Sequence, residues 1–190
     1  MPYESFQKTN IDGVFLIQPK VFGDERGWYC PELETAEFEQ NTGLCLNIRQ
    51  IASSYNLEKG VLRGMHYQIG SNSQGKLVQV VSGAVLDVAV DLRRKSPTFK
   101  KVVTAKLTSK EHNQLWVPPG CAHGYIALEG NTRFNYIVTD GSYDQVNERG
   151  LNPFDPDLSI DWIVPRGEIQ IKDRDLNWPN LSNIKEENLF

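Results

Sequence analysis

Two β-strands separated by a single glycine constrain this chain more than anything else in it. Lys76-Leu77-Val78-Gln79-Val80-Val81 alternates in polarity, Gly83 interrupts it, and Ala84-Val85-Leu86-Asp87-Val88-Ala89-Val90-Asp91 follows, with β-branched residues dominating both runs. The natural reading is two neighbouring strands of one sheet. Just upstream, Gly60-Val61-Leu62-Arg63-Gly64-Met65-His66-Tyr67-Gln68 carries one of only three histidines. From the ends of adjacent strands His66 and Lys76 would face a common interior, which is how a closed sheet gathers polar groups into a pocket.

The rest of the chain repeats the pattern. Val14 to Ile17, ended by Pro19, reads as an early strand at an edge, and Asp24-Glu25-Arg26-Gly27 as a turn before Trp28-Tyr29. Thr35 opens a short helix to Gln40 that closes near Asn41 and Gly43. Leu46 to Ile51 alternates again, whereas Ser53 through Lys59 is polar and loop-like. Further strands are expected over Val102 to Leu107 and Arg133 to Val138. Between them a polar turn at Lys110 to Asn113 precedes Gln114 to Val117, and His123 stands between glycines just before Ile126 to Leu128. A short strand is possible at Ile169 to Ile171 in a looped, Pro-, Asp- and Asn-rich tail that starts near Leu151. Many short strands with little helix code predict an all-β antiparallel barrel or double-sheet jelly roll, and exposed strand edges invite pairing across a dimer.

Length and charge narrow the function. The 190 residues fit one domain, 1–190, and with 39% of them apolar the chain can fill a core. A net charge of −4 gives no reason for the surface as a whole to attract nucleic acid or an anionic membrane, so an anionic small molecule would need a local basic pocket. No amino-terminal apolar run follows a basic segment and none is long enough to span a bilayer, which predicts a cytosolic protein. Cys30, Cys45 and Cys121 are widely spaced and odd in number, and read as incidental thiols.

Several polar residues could carry chemistry. His66 is the leading base, since imidazole transfers protons near neutrality, or else a structural histidine with its ring satisfied. Lys76 could stabilise an oxyanion or bind phosphate, or be an ordinary surface charge. Tyr136 and Tyr143 could serve as a proton donor and a stacking face, or simply pack. Asp173 could orient a histidine, although solvated carboxylates are common in such tails. Arg26 and Arg63, each beside a glycine, suit a diphosphate. No His-x-His, His-Glu-x-x-His or Cys-x-x-Cys motif is present. A metal would need His66 and His123 to meet and recruit a carboxylate, and no metal site is expected.

These residues resemble the dTDP-4-dehydrorhamnose 3,5-epimerase family, sugar-nucleotide epimerases with a cupin-like jelly roll and a dimeric assembly. The matching stretches are Phe22 to Gly27, Gly60 to Gln68, Gln74 to Val78, Asp87 to Arg93, Ser96 to Phe99 and Pro118 to Tyr125, with Lys172-Asp173 near the end; together they run from about residue 12 to 179. The resemblance implies that His66 is the base, polarised by Asp173, that Lys76 stabilises an enolate, and that Tyr136 is the acid on the opposite face. It implies contacts to substrate from Arg26, Gln50, Arg63 and His123, stacking of Tyr143 on the nucleotide base and Glu148 near that base's polar edge. Arg26 would reach into the partner's site of a homodimer. No cofactor is implied, because a 4-keto group acidifies both C3 and C5 through enolate formation.

The implied reaction is inversion of both carbons of dTDP-4-keto-6-deoxy-D-glucose to give dTDP-4-keto-L-rhamnose. Alternatives are inversion of one carbon only, another nucleotide-linked 4-keto sugar, or a catalytically silent sugar-binding barrel. Departures from the family pattern bear on these choices. Ala52 stands where an asparagine is usual, one extra residue lies between Tyr136 and Tyr143 near Asp140-Gly141-Ser142, and a usual tryptophan is missing from Asn152-Pro153-Phe154-Asp155.

Overall fold

The structure, a computed structural model, describes residues 1–190. Thirteen strands run in chain order as β1 (Tyr3–Lys8), β2 (Phe15–Pro19), β3 (Phe22–Asp24), β4 (Gly27–Tyr29), β5 (Ile48–Asn56), β6 (Leu62–Gln68), β7 (Gln74–Ser82), β8 (Ala84–Asp91), β9 (Val102–Thr108), β10 (Gln114–Val117), β11 (Cys121–Ala127), β12 (Thr132–Asp140) and β13 (Glu148–Gly150). Helix α1 (Thr35–Thr42) precedes β5, and the single turn α2 (Asp173–Leu176) lies in the tail. No helix is long and apolar enough to cross a membrane.

The strands form one six-stranded sheet, β1-β2-β10-β7-β12-β5, one five-stranded sheet, β13-β6-β11-β8-β9, and the small β3-β4 hairpin. Strand alternation divides the core into three layers. Val78, Val80 and Phe134 of the larger sheet meet Val85, Ala89 and Tyr125 of the smaller one in a shared interior cluster. Leu86, Val88 and Val90 point out of the other face of the smaller sheet and are covered by Leu158, Trp162, Val164 and Leu181 of the tail. On the outer face of the larger sheet, Phe38 of α1 packs edge-on against Trp116, and both side chains are excluded from water. Burying side chains of this size stabilises the fold by about 2 kcal/mol each.

Several expectations change in the structure. The strands on either side of Gly83 do not pair; β7 belongs to the larger sheet and β8 to the smaller. A single residue cannot make the two-residue turn of a hairpin, so the chain turns a corner between layers instead. Gly83 does this at φ +83, and a Cβ there would overlap the Thr132 side chain. No ladder joins the two sheets, so the expected barrel is realised as two sheets packed face to face. β2 pairs on both sides rather than lying at an edge. β5 continues through Ser53–Asn56, which reads as loop in sequence because one face of this edge strand is exposed and the other meets polar neighbours. Ile169 to Ile171 forms only a single parallel bridge, Val61 to Gln170.

Helix α1 starts where expected but is capped by Glu34, whose carboxylate accepts from the amides of Ala36 and Glu37 at 3.2 and 2.7 Å. It ends on Gly43 in the left-handed conformation. The end of β8 is fastened by Asp91, a fully buried carboxylate that accepts from Arg93 Nε at 2.8 Å and from the hydroxyls of Ser96 and Thr98 at 2.7 Å each. Burial alone would raise its pKa, but the bonds from Arg93, Thr98 and Ser96 outweigh it and hold the carboxyl below the usual range. Asp91 therefore adds stability above its unfolded pKa, and that stability disappears as pH falls through the lower folded value. Asp91→Asn is expected to lower the unfolding free energy by about 3 kcal/mol at neutral pH. Urea melts of the two proteins check this, and the difference should shrink in acid.

Candidate active site

The interior between the sheets turns polar at one end. β6 delivers Arg63 and His66, while β11 delivers His123, which pairs with His66 across the ladder. Two glycines allow the strands this approach. A Cβ on Gly64 would lie 2.5 Å from the Gly124 Cα, and a Cβ on Gly124 would lie 2.7 Å from Met65 Sδ. From the opposite sheet, Val138 of β12 pairs with Lys76 of β7, and Tyr136 pairs with Val78 on one side and Ala52 on the other.

A cavity of about 450 Å³ opens here, with Arg63, His66 and Tyr136 on its walls together with Arg174 and Asp175 of α2. The carboxylate that holds His66 is that of Asp175, 2.8 Å from Nε2. This corrects the expectation for Asp173, whose side chain is exposed on the first turn of α2. Successive helical residues are turned by about 100°, so residues two apart point in nearly opposite directions and only one of these aspartates can face β6. Since a carboxylate only accepts, Nε2 is the donor in this pair, which makes Nδ1 the lone-pair nitrogen of the neutral ring. Asp175 also takes the Gly64 amide at 3.4 Å and the Arg174 Nε at 3.3 Å. Burial would raise the carboxyl's pKa, but His66, the Gly64 amide and Arg174 together bring it below the ordinary value, so it stays ionised.

Tyr136 has the opposite bias. Burial first, then Tyr125 and Asp87, pushes its phenol well above the ordinary tyrosine value, opposed only by a hydrogen bond with Ser54. It thus keeps its proton through the neutral range. Lys76 is pushed down to about 8 by burial, against the charges of Asp87 and Glu148, which favour the ammonium form. Asp87 in turn is raised by burial and restrained by His123 and Lys76. His123 Nε2 lies 3.0 Å from each Asp87 oxygen, so that nitrogen is committed to an interior hydrogen bond instead of the cavity.

The other expected residues are spread more widely. The Tyr143 hydroxyl donates to Glu148 at 3.2 Å, Glu148 accepts from Arg174 at 2.8 Å, and Arg174 Nε donates in turn to Asp175, which links the Tyr143 loop to the cavity. Gln50 lies on exposed β5 on the same face as Ser54 and does not line the cavity. Arg26 sits at the tip of the β3-β4 hairpin, paired with Asp24 and away from the cavity of its own chain. Arg174, Asp175 and Asp87 escaped the sequence reading. The two acids of Asp173-Arg174-Asp175 cannot be ranked without knowing which face of the turn meets β6, and Asp87 is hidden inside an apolar strand. Cys30, Cys45 and Cys121 are free thiols, and burial pushes that of Cys121 up to about 12.

Comparison with known proteins places the chain in a family. The family model for dTDP-4-dehydrorhamnose 3,5-epimerase matches residues 8–183. A dTDP-4-dehydrorhamnose 3,5-epimerase of Shigella flexneri is 42% identical over 170 residues, covering 90% of this chain and 92% of that protein. The crystal structure of the corresponding enzyme of Elizabethkingia anophelis NUHP1 superposes with a TM-score of 0.91 at 37% identity, covering 96% of this chain and 98% of the other. That of a dTDP-6-deoxy-D-glucose-3,5-epimerase from Legionella pneumophila Philadelphia 1, in complex with dTDP-4-keto-L-rhamnose, also gives 0.91 at 38% identity, covering 97% and 96%. With its two facing sheets and a histidine on the cavity wall held by an aspartate of the tail, this chain is an enzyme of the dTDP-4-dehydrorhamnose 3,5-epimerase family.

Proposed function

We propose that the enzyme inverts C3 and C5 of dTDP-4-keto-6-deoxy-D-glucose to give dTDP-4-keto-L-rhamnose through enolate intermediates. One observation carries the reading: a carboxylate-held histidine and a tyrosine that keeps its proton share the walls of one cavity. His66 Nδ1 takes the proton from the carbon beside the ketone, and the C–H electron pair moves into the C=C bond of an enolate while the negative charge collects on the 4-oxygen. The Lys76 ammonium stabilises that oxygen. Tyr136 then delivers its proton to the opposite face, the ketone re-forms and the centre is inverted. The ketone makes both neighbouring carbons acidic, so this chemistry calls for neither a redox cofactor nor a metal.

Binding follows from the remaining charges. Arg63 and Arg174 offer guanidinium groups to the diphosphate, and Tyr143 offers a half-exposed ring for the nucleotide base, with Glu148 hydrogen-bonded to its hydroxyl. Arg26 serves the partner's cavity in a homodimer. Exposed apolar residues support that assembly, namely Ile48, Ile51 and Tyr55 on edge strand β5 and Trp28 and Tyr29 on the hairpin that carries Arg26. A second reading, inversion at one carbon only, has one observation in its favour: Ala52, in place of the usual asparagine, lies directly opposite the acid Tyr136.

Product analysis by proton NMR tests the assignment. His66→Ala and Asp175→Asn should each reduce epimerisation at least about a hundredfold, whereas Asp173→Asn should leave it within about twofold of the parent. Equal losses for the two aspartate variants would refute the pairing of roles.

A pH profile tests Lys76. Its ammonium is needed to stabilise the enolate and is lost as pH rises through about 8, so kcat/KM of the free enzyme should fall on the alkaline side near that value. Asp87→Asn removes a charge that favours the ammonium and should move this limb to lower pH.

The assembly is checked by light scattering on a sizing column. A mass of two chains is expected, and Ile51→Asp should shift it toward one chain.

A further inference from the structure

Behind Tyr136 the interior holds a line of hydroxyl groups that the reaction as written does not use. Ser54 Oγ of β5 lies 3.5 Å from the Tyr136 hydroxyl and 2.7 Å from that of Tyr125. Tyr125 is buried and donates to Asn56 Oδ1 at 3.2 Å. The orientation of the Asn56 amide is fixed because its Nδ2 donates to the Thr132 carbonyl at 3.1 Å, which leaves Oδ1 to accept from both Tyr125 and Arg63 Nε, the latter at 3.0 Å. These donors give the resting line a direction. Tyr125 points its proton at Asn56, so its oxygen accepts from Ser54, and the Ser54 oxygen is free to accept from Tyr136.

We propose that Ser54, backed by Tyr125 and Asn56, is the positioning group for the acid Tyr136, a hydroxyl line whose direction reverses when Tyr136 gives up its proton. This rests on the acid role proposed above for Tyr136. The chemistry requires some such device. When the Tyr136 O–H bond breaks and the new C–H bond forms, a phenolate is left in a buried site beside Tyr125 and near Asp87, both of which disfavour negative charge there. No proton needs to travel along the line for it to help. The Ser54 hydroxyl turns to donate to the phenolate, the Tyr125 hydroxyl turns to donate to Ser54, and Asn56 Oδ1 keeps its bond from Arg63. Bonds from neutral hydroxyls to a charged oxygen shorten and strengthen, so the 3.5 Å resting separation is expected to close as charge appears.

The line also answers a demand specific to double inversion. After the first carbon is inverted, His66 holds a proton and Tyr136 lacks one. Both must be reset before the second carbon reacts. Ser54 is only half-buried on an edge strand, so its hydroxyl can hand its proton to the phenolate as it takes one from solvent, while His66 releases its proton to solvent through the open cavity, which resets both groups without substrate leaving first.

The groups facing Tyr136 are Tyr125 and His123 from β11, Asp87 from β8, and Arg63 and His66 from β6, with Lys76 two pairs along the ladder from it on β7. None of these except Tyr125 changes in the test. The variants are Ser54→Ala, Tyr125→Phe and the conservative Ser54→Thr, and the reaction is followed in deuterated water with separate measurement of deuterium entry and inversion at each carbon. Ser54→Ala should reduce inversion about tenfold relative to deuterium entry, because abstraction by His66 continues while delivery from Tyr136 fails. Tyr125→Phe should shift the same ratio less, and Ser54→Thr should restore it. A merely structural effect would lower exchange and inversion together. A ratio unchanged in both Ser54→Ala and Tyr125→Phe overturns the proposal.

A second readout does not depend on turnover. With a fluorinated tyrosine at position 136, whose phenol ionises at lower pH, fluorine NMR should show the midpoint moving to higher pH in Ser54→Ala. If the parent enzyme neither exchanges nor inverts this substrate, the reaction reading fails. The fluorine titration still decides whether Ser54 holds the phenolate, and an unmoved midpoint would show that it does not.

Discussion

Ionisable groups placed between two β-sheets must find partners there, because an unpaired charge removed from water costs several kcal/mol. The polar end of this interior follows from that constraint. Asp87 lies on β8, a strand with every residue buried, and would be untenable alone; His123 occupies both of its oxygens from the next strand, and Lys76 adds a positive charge from the opposite sheet. His66 is held from outside the sheets instead, by Asp175 on a single helical turn of the tail. The tail is therefore part of the site as well as a cover for the smaller sheet.

Reactivity arises from giving similar groups different surroundings. Of the two interior histidines, His123 spends its Nε2 on a fully buried carboxylate, whereas His66 sits on a cavity wall with Nδ1 unclaimed. Of the two neighbouring tyrosines, Tyr125 is enclosed and bonded to Asn56, whereas Tyr136 reaches the cavity. Burial acts on the two groups in opposite senses: it keeps the Tyr136 proton in place and loosens that of Lys76. The acid and the enolate-stabilising cation proposed for this enzyme would thus owe their properties to the same dry interior.

Much of this was legible from local pattern. The strand runs, the turn at Asp24–Gly27 and the opening of α1 at Thr35 depend on alternation and on turn and cap chemistry, and those signals are local. His66, Lys76 and Tyr136 were expected from residue type and from resemblance to a family, and the structure puts His66 and Tyr136 on the walls of one cavity. What could not be read depended on contacts between distant segments. Gly83 looks like a hairpin turn until the Thr132 side chain beside it and the assignment of β7 and β8 to different sheets are known. Ser53 to Asn56 looks like loop because polar residues suit both an exposed edge and a polar interior, and the line from Ser54 to Asn56 was hidden for the same reason. Asp173 and Asp175 are equivalent in composition; only the docking of α2 on β6 separates them.

The most direct test of this account is proton NMR in deuterated water on the purified enzyme with dTDP-4-keto-6-deoxyglucose, following deuterium at C3 and C5 independently. The account predicts entry at both carbons together with formation of the rhamno-configured ketone, and no entry at either carbon in a protein lacking the His66 imidazole. Normal entry without that imidazole, or none at either carbon in the intact enzyme, would contradict it.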